Sequence, residues 1–291
     1  MVTVIENLLK KGIAKGNSQL LSESEIKELE ILISKKNHSS LKEEVFKNIV
    51  GIDNRIDELL EKIVTNSKIQ NTLLKVLGEN YLLRHVSARF SEAGDKGLPM
   101  HQDSPGEVSL TILVNNQDEG STFFCPGTQL IPSGSHLAQK VSWSSIKLIN
   151  LIKYFLSTAK GNAGSYYYFL NRTWHGRLPG KLNKKNLSIF FAFFPVSAKR
   201  KDLINDDIEY NSKIMNKLIA QPHLKKILSR QNYNLAIQNY QKTNDSISLS
   251  LKANSYKMIF KNIFYFIYVI FKLILLEILF FPIRLRRYLK L

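Results

Sequence analysis

At 291 residues, with 44% hydrophobic and 22% charged residues, the chain is long enough to bury one sizeable core with attachments and too apolar for wholesale disorder. The 41 Lys and Arg against 24 Asp and Glu leave a formal net charge of +17, which favours an anionic counterpart such as nucleic acid, a lipid headgroup surface or an acidic substrate. Cys125 is the only cysteine, so an internal disulfide framework and a Cys-rich zinc site are excluded and a reducing compartment is compatible.

The opening stretch MVTVIENLLKKGIAKGNSQLL is broken early by polar and charged residues, and it lacks the apolar run and cleavage site of a secretory signal. Residues 1–78 are expected to be a helical lead-in. Ile26, Leu29, Ile31 and Leu32 recur near helical spacing, and Ser22 or Ser24 offers an N-cap ahead of acidic residues. From Tyr81 the texture changes to short strand-like runs at 82–90, 108–114, 122–125, 165–169 and 187–194, punctuated by Gly94, Gly97, Gly106, Gly120 and Gly127. A helix-like stretch at 142–158 interrupts them, so the expectation is a mostly antiparallel sandwich with one insertion. After Pro195 the pattern is helical again, to about residue 254.

Two short motifs carry the chemistry. Met100-His101-Gln102-Asp103 follows a loop with two glycines and Pro99. One residue between two candidate ligands lets both face the same side of a pleat, so an imidazole and a carboxylate converge. Asn171-Arg172-Thr173-Trp174-His175-Gly176 follows an apolar strand and supplies a second imidazole. Two His and one carboxylate on one face leave the other face open, the donor set of non-haem Fe(II) enzymes that activate oxygen.

His101-Gln102-Asp103, the run GSTFFCPGT from Gly120 to Thr128, and GNAGSYYYFLNRTWHG from Gly161 to Gly176 occur in that order. Across roughly 84–195 the chain resembles the phytanoyl-CoA dioxygenase-like family of Fe(II)/2-oxoglutarate-dependent oxygenases. The resemblance implies an α+β chain with a double-stranded β-helix core (jelly-roll, cupin-like) at 79–197. Around it are the helical region 1–78, a helical region at 198–254 and an apolar basic tail at 255–291. It also implies Fe(II) held by His101, Asp103 and His175, with 2-oxoglutarate as co-substrate and hydroxylation of an unactivated carbon in a small-molecule or lipid-like substrate. Asp103 favours hydroxylation over halogenation, because halogenating relatives lack this carboxylate. The family usually meets the co-substrate's distal carboxylate with an Arg about ten residues beyond the distal His, where a guanidinium makes two parallel bonds. Here Lys185 has that spacing, Ser188 adds a hydroxyl, and Arg177 is the next candidate.

The remaining histidines have plainer readings: His85 and His136 as structural or surface residues, His38 and His223 as solvated ones. Trp174, Tyr166, Tyr167 and Tyr168 are expected as core and rim aromatics, and Cys125 as a small buried hydrophobe. Residues 263–283 are apolar enough in length to reach a bilayer. However, Lys272 and Glu277 would each cost about 2.5 to 3.5 kcal/mol in hydrocarbon. With Lys252, Lys257 and Lys261 before it and Arg284, Arg286, Arg287 and Lys290 after it, the tail suits an anionic membrane face. The expectation is a cytoplasmic protein, peripheral or tail-anchored at the membrane. No nucleic-acid partner is expected, because the basic residues are scattered without a binding motif. The competing reading is a membrane-associated binding or scaffold protein that retains the oxygenase fold without catalysis, supported by the missing Arg near Lys185.

Overall fold

The computed structural model describes residues 3–37, 45–46, 49–78, 81–91, 95, 97–101, 103, 106–118, 122–130, 156–178, 185–195 and helical positions between 263 and 278. The chain opens with α1 (Val4–Lys11), β1 (Ile13–Lys15), α2 (Glu23–Asn37), β2 (Val45–Phe46), α3 (Asn54–Val64) and α4 (Ser67–Leu77). The sheet region follows: β3 (Tyr81–Ser91), β4 (Leu98–His101), β5 (Val108–Leu113), β6 (Thr122–Cys125), β7 (Ser157–Thr158), β8 (Tyr166–Leu170), β9 (Trp174–Arg177) and β10 (Asn186–Pro195).

The helix starts follow from local chemistry. Thr3 and Glu6 form a capping box at α1. At α2 the Ser22 backbone N–H donates to Glu25 while the Ser22 hydroxyl accepts from the Glu25 N–H, so Ser22 rather than Ser24 satisfies the free donors of the first turn. Ile26, Leu29 and Ile33 bury one stripe of α2, and Ile31 falls outside it at 44% exposure.

All strand pairings are antiparallel. One sheet has the order β1-β8-β5-β10-β3-β2 and the other β4-β9-β6-β7. Strand β10 shows how the layers are assigned. Leu187, Ile189, Phe191 and Phe193 join the core formed with the N-terminal helices, whereas Phe190 joins a second cluster containing Phe124 of the other sheet. Phe124 and Phe169 meet between the sheets, with ring centroids 5.0 Å apart. Each buried Leu, Ile or Phe contributes about 1.5 to 3 kcal/mol. A one-residue slip of β10 would send that whole set to the wrong face, so the register is strongly specified.

The architecture is therefore mixed helix and antiparallel sheet. The strand runs expected at 82–90, 108–114, 122–125, 165–169 and 187–194 coincide with β3, β5, β6, β8 and β10 to within one or two residues. Strand β1 comes from within the N-terminal region and adds itself to β8, pairing Ile13 with Phe169. The expected helix at 142–158 lies outside the described residues except at its end, where Ser157 and Thr158 form β7. The helical region at 198–254, together with His38, His136 and His223, also lies outside them.

The described residues between 263 and 278 are helical. Val269 of this segment is fully buried and packs where Gly127 leaves room for it. Among the described residues, no helix is long and apolar enough to cross a membrane.

Candidate metal centre

The triad is built by strand pairing. His101 ends β4 and stands directly opposite His175 on β9, so their rings lie close, tilted by 51° with centroids 4.5 Å apart. Asp103 follows β4 by two residues, and its backbone N–H donates to the carbonyl of Asn171 at 3.0 Å. One ligand atom from each of His101, Asp103 and His175 lies within 4.8 Å of the others.

Proton positions favour a cation at the centre of this triangle. His175 Nδ1 lies 2.7 Å from the carbonyl oxygen of Thr173, which can only accept, so Nδ1 carries the proton. In the neutral ring Nε2 then presents a lone pair 3.2 Å from Asp103 Oδ2. The other Asp103 oxygen lies 3.4 Å from His101 Nε2. A lone pair facing a carboxylate is repulsive unless positive charge intervenes, and a divalent ion supplies it. Burial alone would raise the Asp103 carboxyl, but the adjoining His101 and His175 rings hold it far below the usual carboxylate range. The residues present thus fit a metal ion with mixed imidazole and carboxylate preference.

The ligands differ in exposure. The His175 side chain is 8% exposed and that of Asp103 45%. Phe169 and Phe124 crowd the His175 ring at centroid distances of 5.0 and 6.4 Å, which keeps water from the distal side. A cavity of about 310 Å3 opens beside the triad, bounded among others by Asp103, His175, Arg89, Arg177, Phe169 and Phe190.

The other expected site residues are placed as follows. Arg177 is buried, bonded to Asp95 Oδ1 at 3.0 Å and to the Phe90 carbonyl at 3.0 Å, and it lines the cavity. Ser188 is buried on β10 and its hydroxyl accepts from Gln117 Nε2 at 3.0 Å. Lys185 is exposed, with its ammonium 5.6 Å from the centre of the Phe90 ring. Phe90 belongs to the core on the helix side of its sheet, so this ammonium lies on the face away from the cavity.

Three residues at the site were given no role by the sequence reading. Asn171 bonds Glu107 through its amide and accepts from the Ser109 hydroxyl at 2.7 Å, while its carbonyl holds Asp103. The only signal for it is adjacency to the His175 motif. Glu107 and Arg89 are ordinary strand-end and mid-strand residues in sequence. Only the pairing places them on the cavity wall.

No family model and no curated protein matches the sequence. The fold is shared with solved structures at low identity. HygX from Streptomyces hygroscopicus with nickel and 2-oxoglutarate bound is 10% identical over 67% of this chain and 90% of that one, with a TM-score of 0.53. The non-haem alpha-ketoglutarate-dependent carbocyclase SnoK from nogalamycin biosynthesis is 13% identical over 66% and 83%, with a TM-score of 0.51. EctD from S. alaskensis in its apoform is 12% identical over 66% and 76%, also at 0.51. At these identities the likeness is one of fold, and what the site does rests on its own residues.

Proposed function

We propose that this chain is a non-haem Fe(II)/2-oxoglutarate-dependent dioxygenase that hydroxylates an unactivated carbon of a small-molecule or lipid-like substrate. In this reading its sheets form the double-stranded β-helix, or jelly-roll, of the phytanoyl-CoA dioxygenase-like family. The observation that carries the reading is the convergence of two imidazoles and one carboxylate beside an inter-sheet cavity that Asp103 and His175 line. Bound Fe(II) with 2-oxoglutarate would supply the oxidising chemistry. The chain's own contribution is positional. Thr173 fixes the His175 tautomer, Asn171 anchors Asp103, and Phe124 and Phe169 exclude water behind the ring. One face of the triad is left for co-substrate and oxygen.

Anaerobic titration of the full chain with Fe(II) and then 2-oxoglutarate tests this through the visible charge-transfer band. The band is expected in wild type and absent in His175→Ala. Iron binding with no band would remove 2-oxoglutarate from the reading, and absence of both would favour a non-catalytic binding protein of the same fold.

Attachment to an anionic membrane surface belongs to the same proposal. The C-terminal helix turns Val269 and Lys272 inward, the latter at 3% exposure, and leaves Phe264 at 86% and Phe271 at 65%. Lys272 reaches Cys125, so the charge that would oppose lipid contact is withdrawn from the outer face. The basic residues on both sides of this segment in sequence match an anionic headgroup layer at about 1 kcal/mol each. The fit is to a helix lying on the surface, placing the cavity near lipid-borne substrates.

A further inference from the structure

Among the described residues, the cavity wall holds one cation, Arg89, that neither the metal centre nor an ion pair uses. Arg89 sits on β3 directly opposite Ser188 of β10, which puts both side chains on the face turned to the other sheet. Its guanidinium carbon lies 4.9 Å from the centre of the Phe190 ring, and Phe190 lines the same cavity. The Nε of Arg89 is buried without a hydrogen-bond partner. A buried donor left unsatisfied is costly, and a planar fork of donors is complementary to a carboxylate. Burial depresses the Arg89 guanidinium, opposed by the charge of Asp103, so an arriving anion relieves a real electrostatic cost.

The geometry points to Arg89 as the residue that receives the distal carboxylate of 2-oxoglutarate, an assignment that rests on the proposed co-substrate. The other cations nearby are committed elsewhere. Arg177 is engaged by Asp95 and the Phe90 carbonyl, and the Lys185 ammonium stands over Phe90 on the helix side of the sheet. Ser188, across the ladder from Arg89, is occupied by Gln117, whose Nε2 donates to its oxygen. The guanidinium that relatives place on the strand after the distal histidine is thus supplied here by the neighbouring strand, one ladder position away. Phe190 holds it flat by stacking.

The experiment compares Fe(II) affinity and anaerobic binding of 2-oxoglutarate and 2-oxobutyrate, which lacks the distal carboxylate, in wild type, Arg89→Ala, Arg89→Lys and Lys185→Ala. Arg89→Ala is expected to weaken 2-oxoglutarate by on the order of tenfold to a hundredfold, to leave Fe(II) and 2-oxobutyrate binding unchanged, and to be partly rescued by Arg89→Lys. Unchanged Fe(II) binding also certifies the fold of the variants. An equal loss of both oxoacids, a parallel loss of Fe(II), or a loss that appears in Lys185→Ala instead would overturn the assignment. Failure of wild type to bind 2-oxoglutarate would overturn the co-substrate reading itself, and that outcome is visible before any Arg89 variant is made.

Discussion

Phe124 and His175 stand opposite each other on β6 and β9, while the next pair along the ladder, Cys125 and Trp174, turns to the other side. Phe124 faces the metal centre, whereas Cys125 meets Lys272 of the C-terminal helix. One short ladder therefore carries the candidate metal centre on its inner face and the C-terminal helix on its outer face.

That arrangement makes Cys125 a reporter. Burial pushes its thiol up, opposed by Lys272, and the residue is 0% exposed. Alkylation at mildly alkaline pH is expected to be slow in the native chain and fast in denaturant. Vesicles rich in anionic lipid are expected to bind the chain, weakly so for Phe264→Ser/Phe271→Ser, while Cys125 stays protected because the helix binds lipid without leaving its seat. Rapid labelling on vesicles would show that the helix detaches.

Metal should stabilise the fold. Fe(II), or an inert divalent ion standing in for it, at a hundredfold over its dissociation constant adds about 2.7 kcal/mol, seen as a rise in Tm. The rise is expected to vanish in His175→Ala and Asp103→Asn, and equal shifts in wild type and both variants would place the ion elsewhere.

Asn171→Leu keeps volume but removes the amide that meets Glu107 and the oxygen that accepts from Ser109. A loss of about 1 to 3 kcal/mol in stability is expected, with a smaller effect on metal binding, because the bond to Asp103 comes from the residue 171 backbone carbonyl, which the variant keeps. Urea denaturation and metal titration read the two effects separately.

Gly12 has a φ of +76°, and a Cβ there would lie 2.1 Å from Thr173 Oγ1. Gly12→Ala is therefore strained in backbone and space, at a cost of roughly 1 to 3 kcal/mol or more. Because Thr173 also fixes the His175 ring, metal affinity is expected to fall with stability. A destabilised variant with unchanged metal affinity would show that the two are separate.

Glu25 is held at about 2, below its ordinary 4.5, chiefly by its hydrogen bond from Lys62. A carboxylate with a lowered folded value contributes stability above its ordinary value and loses it as pH falls from about 4.5 towards about 2. The Lys62 end of the pair is 54% exposed and solvent screens it, so the contribution is small. Lys62→Met is expected to lower the urea midpoint slightly at neutral pH and to converge with wild type near pH 2.

The long strands were legible because their apolar runs are five or more residues and bounded by turn residues. β3, β5, β8 and β10 fall where the pattern puts them. β6 holds only four residues and was legible as the β-prone run TFFC, whereas β7 has two residues and β4 (LPMH) and β9 (WHGR) are broken by proline, glycine and charged or polar side chains, so no strand pattern registers there. The two motifs marked His101, Asp103 and His175 because ligand spacing is local. Arg89 was invisible for the opposite reason: it reaches the cavity only through the pairing of β3 with β10, and no spacing within its own strand announces that.

The contact between Gly12 and Thr173 spans 161 positions of sequence. During synthesis β1 leaves the ribosome long before β8 and the turn that carries His175 have been made. At typical translation rates it waits on the order of ten seconds with its edge unpaired. The sheet that faces the candidate metal centre is complete only when β10, ending at Pro195, has also emerged, so any metal loading waits until about two thirds of the 291 residues have been made. Nascent chains stalled before that point should neither hold metal nor shield their N-terminal strand from chaperones.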